Sequence, residues 1–320
     1  MSLDRRAFLG FAAASPAAVL SALTAGNVTE TTEPHLIIAA LAALDKRLQI
    51  DEGIVRDYLE HLSGSGIRSV LVNGSTGEFA SFSALERKRT LEAYLKHKGS
   101  LRVLAHTGAS NINDTLDLVG HAQAEGVDAL LVIPPFYYNQ PATEGLARFY
   151  EPVLERAEVP VLLYNIPQVS GVTVTPELVQ RFSSHPRLWG IKDSWGKAKW
   201  TESYIRAFPD LRIFTGASAL IAGVLDQGGA GALTGNGNIF PRETQAIIDA
   251  HKQGSDTAEP QQTLNQRVAL LKGYPIIPVM KHVLARMGVA KMYLRPPLTA
   301  LGAGARDVLD RRLKDVGVIS

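Results

Sequence analysis

The strongest constraint in this chain is a repeat of short apolar runs, each followed by a longer amphipathic stretch. The runs are His35–Leu41, Ser69–Asn73, Leu101–His106, Asp128–Ile133, Val159–Tyr164, Leu188–Lys192, Leu211–Thr215 and Gly231–Thr234. They are rich in Val, Ile and Leu and nearly continuous in hydrophobicity. Strands covered on both faces read this way, and parallel sheets flanked by helices produce such strands. Helical patterns fill the intervals, among them Glu52–Ser63 and Ser83–His97, the second opened by the capping box Ser83-Ala84-Leu85-Glu86. Gly66, Gly126 and Pro160 punctuate turns into strands. Eight βα repeats predict an α/β chain closed into a (β/α)8 TIM barrel. The alternative is a doubly wound open sheet, weakened because no GxGxxG follows the first run. Residues 35–240 are expected to carry the barrel strands and helices. Residues 241–320 are expected to add the last barrel helix and a C-terminal helical extension that includes Pro278–Met287 and Ala305–Val316.

Composition narrows the chemistry. Of 320 residues, 46% are hydrophobic and 20% charged, enough apolar material for one large core. The formal charge is +2 and no Lys/Arg run occurs, so no nucleic-acid partner is expected. There is no cysteine, which excludes disulfides and thiolate metal sites. The eight histidines show no HExxH or similar ligand spacing, so no metal and no cofactor are predicted. Residues 1–30 differ from the rest: Asp4-Arg5-Arg6-Ala7-Phe8-Leu9-Gly10 leads into an Ala-rich apolar stretch ending near Ala25. Paired arginines before a short apolar segment resemble a twin-arginine export signal, which implies a periplasmic or exported protein. A frayed or amphipathic N-terminal extension on a cytoplasmic protein is the alternative. Gly10, Ser15 and Pro16 interrupt the segment, which is too short for a membrane span.

In a barrel of this kind, chemistry gathers where strands give way to loops on one face. The unusual polar residues fall at those points. Run six ends in Lys192, within Gly190-Ile191-Lys192-Asp193-Ser194. Burial there would favour the neutral amine, which attacks ketones to form a Schiff base. From an ordinary pKa of about 10.4, reaching neutrality takes a drop of about three units, or ~4 kcal/mol. The ordinary alternative is a lysine that snorkels to solvent. Run two passes into Gly74-Ser75-Thr76-Gly77-Glu78-Phe79, where two hydroxyls and the amides of a tight turn could cradle a carboxylate. Run four passes into the aromatic loop Pro134-Pro135-Phe136-Tyr137-Tyr138-Asn139-Gln140-Pro141, which suits either packing or a subunit contact. Run five ends in Tyr164-Asn165-Ile166-Pro167, with Tyr164 expected at the rim and a core tyrosine with a satisfied hydroxyl as the alternative. Run seven ends in Thr215-Gly216-Ala217-Ser218. Run eight leads into Gly235-Asn236-Gly237-Asn238, where glycines could let a ligand approach the backbone. His106 ends run three, where a structural role is the expectation. Trp195, Lys197 and Lys199 could wall the site or form a solvated first turn of a helix.

Taken together, GSTGEF, PPFYYNQP, YNIPxxSG and GIKDS, in this order, resemble the pyruvate-dependent class I lyases over residues 36–300. That superfamily includes dihydrodipicolinate synthase, N-acetylneuraminate lyase and the 2-keto-3-deoxy-sugar-acid aldolases. The resemblance implies that Lys192 forms the Schiff base and that Tyr164 shuttles protons. It implies that Ser75 and Thr76, with Gly74, hold the substrate carboxylate, and that Gly216 and Ser218 contribute to substrate binding. Tyr138 matches the family tyrosine that enters a neighbouring subunit's active site, which implies a dimer or tetramer of this chain.

Three departures shape the expected substrate. The synthases carry an arginine five residues after the strand-five tyrosine to grip a second carboxylate, and this chain has Val169 there. The sialate lyases carry acidic residues after the strand-seven glycine, and this chain has Ala217-Ser218-Ala219. The family's Thr-Pro-Phe after strand one is Ala42-Ala43-Leu44 here. The expectation is a Schiff-base lyase, an aldolase or dehydratase acting on a 2-keto acid such as a 2-keto-3-deoxy sugar acid. The alternatives are dihydrodipicolinate synthase and, in another class, a barrel that binds a keto acid without turnover.

Overall fold

The computed structural model describes residues 35–319; the predicted export segment lies outside them. Eight strands form a closed parallel barrel in chain order: β1 His35–Ala39, β2 Ser69–Val72, β3 Arg102–His106, β4 Ala129–Val132, β5 Val161–Asn165, β6 Leu188–Asp193, β7 Arg212–Thr215 and β8 Gly231–Thr234. The fold expectation holds, with each predicted run meeting its strand to within two residues at either end. Helices on the outer side are α1 Glu52–Gly64, α2 Ala84–His97, α3 Ile112–Ala124, α4 Thr143–Arg156, the short α5 Pro167–Ser170 and α6 Pro176–Gln180, then α7 Ala198–Ala207, α8 Ile221–Asp226 and α9 Pro241–Lys252. After these come α10 Ala258–Ala269, α11 Ile276–Arg286 and α12 Ala303–Lys314. Ser83 caps α2 as predicted: its hydroxyl accepts from the Glu86 N–H, and the Glu86 carboxylate accepts from the Ser83 N–H. Gly66 and Gly126 turn the chain into β2 and β4 with φ of 89° and 79°, conformations open to a residue without Cβ. No helix among the described residues is long and apolar enough to cross a membrane.

Strand side chains alternate between two apolar layers. Leu36, Ile38, Val70, Val103, Leu130, Leu163 and Ile213 pack outward among the helices. Ile37, Leu71, Leu104, Leu131, Leu162, Phe214 and Leu233 fill the barrel interior. β6 breaks this rule once. Leu188 belongs to the outer layer and Trp189 to the inner one, yet Ile191 again faces outward. The pairing with β5 explains it: Val161 aligns with Leu188 but Leu162 aligns with Gly190, so one extra residue is accommodated. Such a bulge reverses the facing of every later side chain. Gly190 permits it, since a Cβ there would lie 1.9 Å from the Arg212 carbonyl oxygen. Beyond the bulge, Tyr164 is the register partner of Lys192 and Asn165 of Asp193.

Candidate active site

The bulge turns Lys192 into the barrel interior, where Tyr164 of β5 already faces. Lys192 is 4% exposed and its Nζ lies 4.1 Å from the centre of the Tyr164 ring. Tyr164 is itself buried, which corrects its expected place at the rim: it is the next-to-last residue of β5 and belongs to the interior layer. Burial alone would raise the phenol's pKa. The Lys192 charge and hydrogen bonds involving Ser75, Ser194 and Lys192 outweigh burial and set the net direction downward. The Ser75 contact is a loose one, for its buried Oγ has no hydrogen-bond partner of full geometry. The phenol, amine and two hydroxyls therefore form one polar group walled by apolar side chains.

The loop after β2 supplies the next wall. Asn73 and Glu78 bracket it in left-handed conformations, with φ of 60° and 58°. Gly77 sits within 3.0 Å of the Ala40 carbonyl at the position of a hypothetical Cβ, so a side chain there would press on the end of β1. Between these points Ser75 and Thr76 are half-buried, and their N–H groups have no protein acceptor among the described residues. That leaves both amides open to an anion. Gly74 is buried beneath them.

The ends of β5, β6 and β7 are tied together by a residue that the sequence reading passed over. Asp193 is fully buried and accepts from Asn165 Nδ2 at 2.8 Å, Thr201 Oγ1 at 2.6 Å and the Trp195 N–H at 3.2 Å. Its carbonyl accepts from the Gly216 N–H at 2.7 Å. A buried carboxylate with this many donors has its acceptor sites filled, and it fixes the strand ends on either side of Lys192. The signal available beforehand was an acidic residue directly after the lysine. Gly216 has a steric role: a Cβ there would lie 1.9 Å from Ser194 Oγ, the hydroxyl that reaches Tyr164. Ser218 is buried, with its hydroxyl 2.8 Å from Thr234 Oγ1 and accepting from Asn236 Nδ2 at 2.9 Å. The Gly-Asn-Gly-Asn turn is packed rather than open. Gly237 leaves room for Ile38, whose Cδ1 would stand 2.2 Å from a Cβ, and Gly235 faces Thr76 and Met280.

His106 is buried in β3 with its ring 4.4 Å from Phe79 and 6.3 Å from Tyr164. Desolvation, then the charges of Arg87 and Lys192, push its pKa well below the usual value and keep it neutral. Trp195 packs 4.7 Å from Trp200 and carries Lys197 Nζ 3.8 Å above its ring, while Lys197 and Lys199 are exposed at the start of α7. Tyr138 is 74% exposed beside the equally exposed Tyr137, and is not among the residues gathered around Lys192 within this chain. Ala42, Ala43 and Leu44 are all buried, and Phe82 and Tyr293 pack with Ala42 and Leu44. The end of β1, which lacks the family threonine, is held instead by two buried tyrosines: the Leu41 N–H donates to Tyr58 Oη, and Tyr94 Oη donates to the Leu41 carbonyl.

Comparison with known proteins agrees with this geometry. The model of the dihydrodipicolinate synthetase family matches residues 34–316. The chain belongs to that family. It is 39% identical over 249 residues to an uncharacterized DapA-like lyase of Chloroflexus aurantiacus, covering 76% of this chain and 83% of the relative. It is 31% identical to a 4-hydroxy-tetrahydrodipicolinate synthase of Hyphomonas neptunium, covering 89% and 99%. Among solved structures, the prophage protein YagE of E. coli K12, a dihydrodipicolinic acid synthase family member in complex with pyruvate, superposes with a TM-score of 0.85 at 27% identity, covering 89% of this chain and 99% of YagE. This dihydrodipicolinate synthetase family member is therefore a pyruvate-dependent lyase of the aldolase type that works through a lysine Schiff base.

Proposed function

We propose that Lys192 is the Schiff-base lysine and that the chain cleaves or forms a 2-keto-3-deoxy sugar acid, with pyruvate as the three-carbon partner. The observation that carries this reading is the pairing of Lys192 and Tyr164 in one buried polar pocket, 4.1 Å from amine to ring. The Lys192 Nζ lone pair attacks the C2 ketone, and the carbonyl oxygen leaves as water. The resulting iminium withdraws electrons, so that breaking the C3–C4 bond leaves an enamine on the pyruvate half and an aldehyde on the other. Tyr164 takes the C4 hydroxyl proton during cleavage and returns a proton to C3. Its lowered pKa suits exchange in both directions. The free amides and hydroxyls of Ser75 and Thr76, above Gly74, receive the carboxylate, and Gly216 and Ser218 border the other side of the site.

Val169 favours a sugar acid over the synthase substrate. It is 64% exposed and cannot hold a second carboxylate where synthases carry arginine. The exposed Tyr137–Tyr138 pair supports an assembly in which Tyr138 reaches a neighbouring subunit's site. The test is borohydride reduction in the presence of pyruvate, followed by mass spectrometry. Wild-type protein should gain one covalent adduct on Lys192, and Lys192→Ala none. Trapping without turnover of any sugar-acid panel member would favour a non-catalytic keto-acid binder. Turnover only with aspartate semialdehyde would favour the synthase.

A further inference from the structure

The carboxylate cradle is not held in place by its own strand. Glu78, which ends the Gly74–Glu78 loop, points its carboxylate inward and is fully buried, with 0% side-chain exposure. Both oxygens take their donors from one distant part of the chain. Lys281 Nζ, on α11, donates to Oε1, and the Arg295 N–H donates to Oε2 at 3.1 Å. Lys281 is equally hidden, with 2% side-chain exposure, and also donates to the Tyr293 carbonyl. The segment containing Tyr293 and Arg295 grips neighbouring loops as well. The Tyr293 N–H donates to the Leu44 carbonyl at 2.9 Å. The Arg295 guanidinium donates to the carbonyls of Leu48 and Ser81 at 2.8 and 3.0 Å, and its Cζ lies 4.1 Å above the Phe82 ring. A buried charge pair is a weak source of stability compared with apolar packing of the same volume. Its presence here, three residues from Ser75 and two from Thr76, with Glu78 in a left-handed conformation, calls for another explanation.

We propose that the Glu78–Lys281 pair is a positioning device through which the C-terminal extension sets the geometry of the Ser75–Thr76 carboxylate cradle. This rests on the assignment of that loop to the substrate carboxylate. The pair touches neither the reacting carbon nor Lys192. It fixes the loop's left-handed exit, and so the direction in which the free amides of Ser75 and Thr76 point. A hydrogen bond from a neutral residue would leave that exit looser, whereas two charged partners of fixed length, buried together, allow one arrangement.

The test uses Glu78→Gln, Lys281→Met and the double variant in the full chain, each compared at equal folded concentration. The readout is the half-saturating concentration for borohydride trapping of pyruvate and of acetone, which presents the same ketone without the carboxylate. Positioning predicts that the preference for pyruvate over acetone falls about tenfold or more in every variant. The double variant should recover thermal stability relative to Lys281→Met, because no lone buried charge remains, yet keep the reduced preference. A merely structural pair would lower the trapped fraction for both ketones alike and leave their ratio as in wild type, and that result in the double variant overturns the proposal. Absence of any trapping in wild type would instead overturn the Schiff-base assignment itself.

Discussion

Replacing Tyr164 by Phe isolates one oxygen atom. The aromatic ring stays in the interior layer and keeps Lys192 Nζ 4.1 Å from its centre, so packing and the amine–ring contact are retained. What disappears is the hydroxyl, together with its polar interactions with Ser75, Ser194 and Lys192. General acid–base catalysis by a positioned group contributes roughly 10²–10⁴-fold, or about 3–5 kcal/mol of barrier. The stability effect is smaller. Hydrogen bonds in folded proteins contribute about 1 kcal/mol net. For a chain of this size that shifts the melting temperature by about 1–2 °C. The assay is steady-state release of pyruvate from a 2-keto-3-deoxy sugar acid, paired with a melting curve. The expected outcome is a kcat reduced at least a hundredfold in a protein that melts within a few degrees of wild type. A Tyr164→Phe enzyme turning over within threefold of wild type would refute the proton-transfer role, and a large loss of stability would mean that the hydroxyl holds the core together.

Two further outcomes follow from geometry and charge. Gly216→Ala places a Cβ 1.9 Å from Ser194 Oγ, so Ser194 must leave Tyr164. The expected loss is about 1–3 kcal/mol of stability together with reduced turnover. Adding Ser194→Gly should restore most of the stability but not the rate, and a Gly216→Ala protein with wild-type melting would contradict the contact. His106 is held neutral in the folded chain, with its pKa well below the ordinary value of about 6.5. Between those two values the unfolded chain binds a proton that the folded chain refuses. Stability is therefore fully present above about pH 6.5 and declines as pH falls toward the folded value, by at most about 1.4 kcal/mol per pH unit from this group. Urea unfolding at several pH values should show a shallower acid-side slope in His106→Gln, and an identical slope would remove His106 from the account.

The eight strands and the capped second helix were legible because they rest on local physics: continuous apolar runs, turn glycines and the Ser83–Glu86 reciprocal cap. The loops bearing Ser75, Thr76 and Tyr138, and the strand end bearing Lys192, were legible because strand ends on one barrel face concentrate polar residues that a core would otherwise exclude. Asp193 was visible as a residue type, but its three donors come from different elements, and no local pattern announces them. The partnership of Glu78 with Lys281 spans 203 positions, beyond any periodicity argument.

The sequence by itself determined a barrel and placed a lysine near the end of the sixth strand. It did not determine which way that lysine faces. Simple alternation from Leu188 and Trp189 would send Lys192 outward to the helices. Only the closed sheet decides otherwise: β6 accommodates one extra residue where Gly190 slips past the Arg212 backbone, and the parity of every following side chain reverses. Register is a property of two strands together, and it is this register that sets the amine beside the phenol.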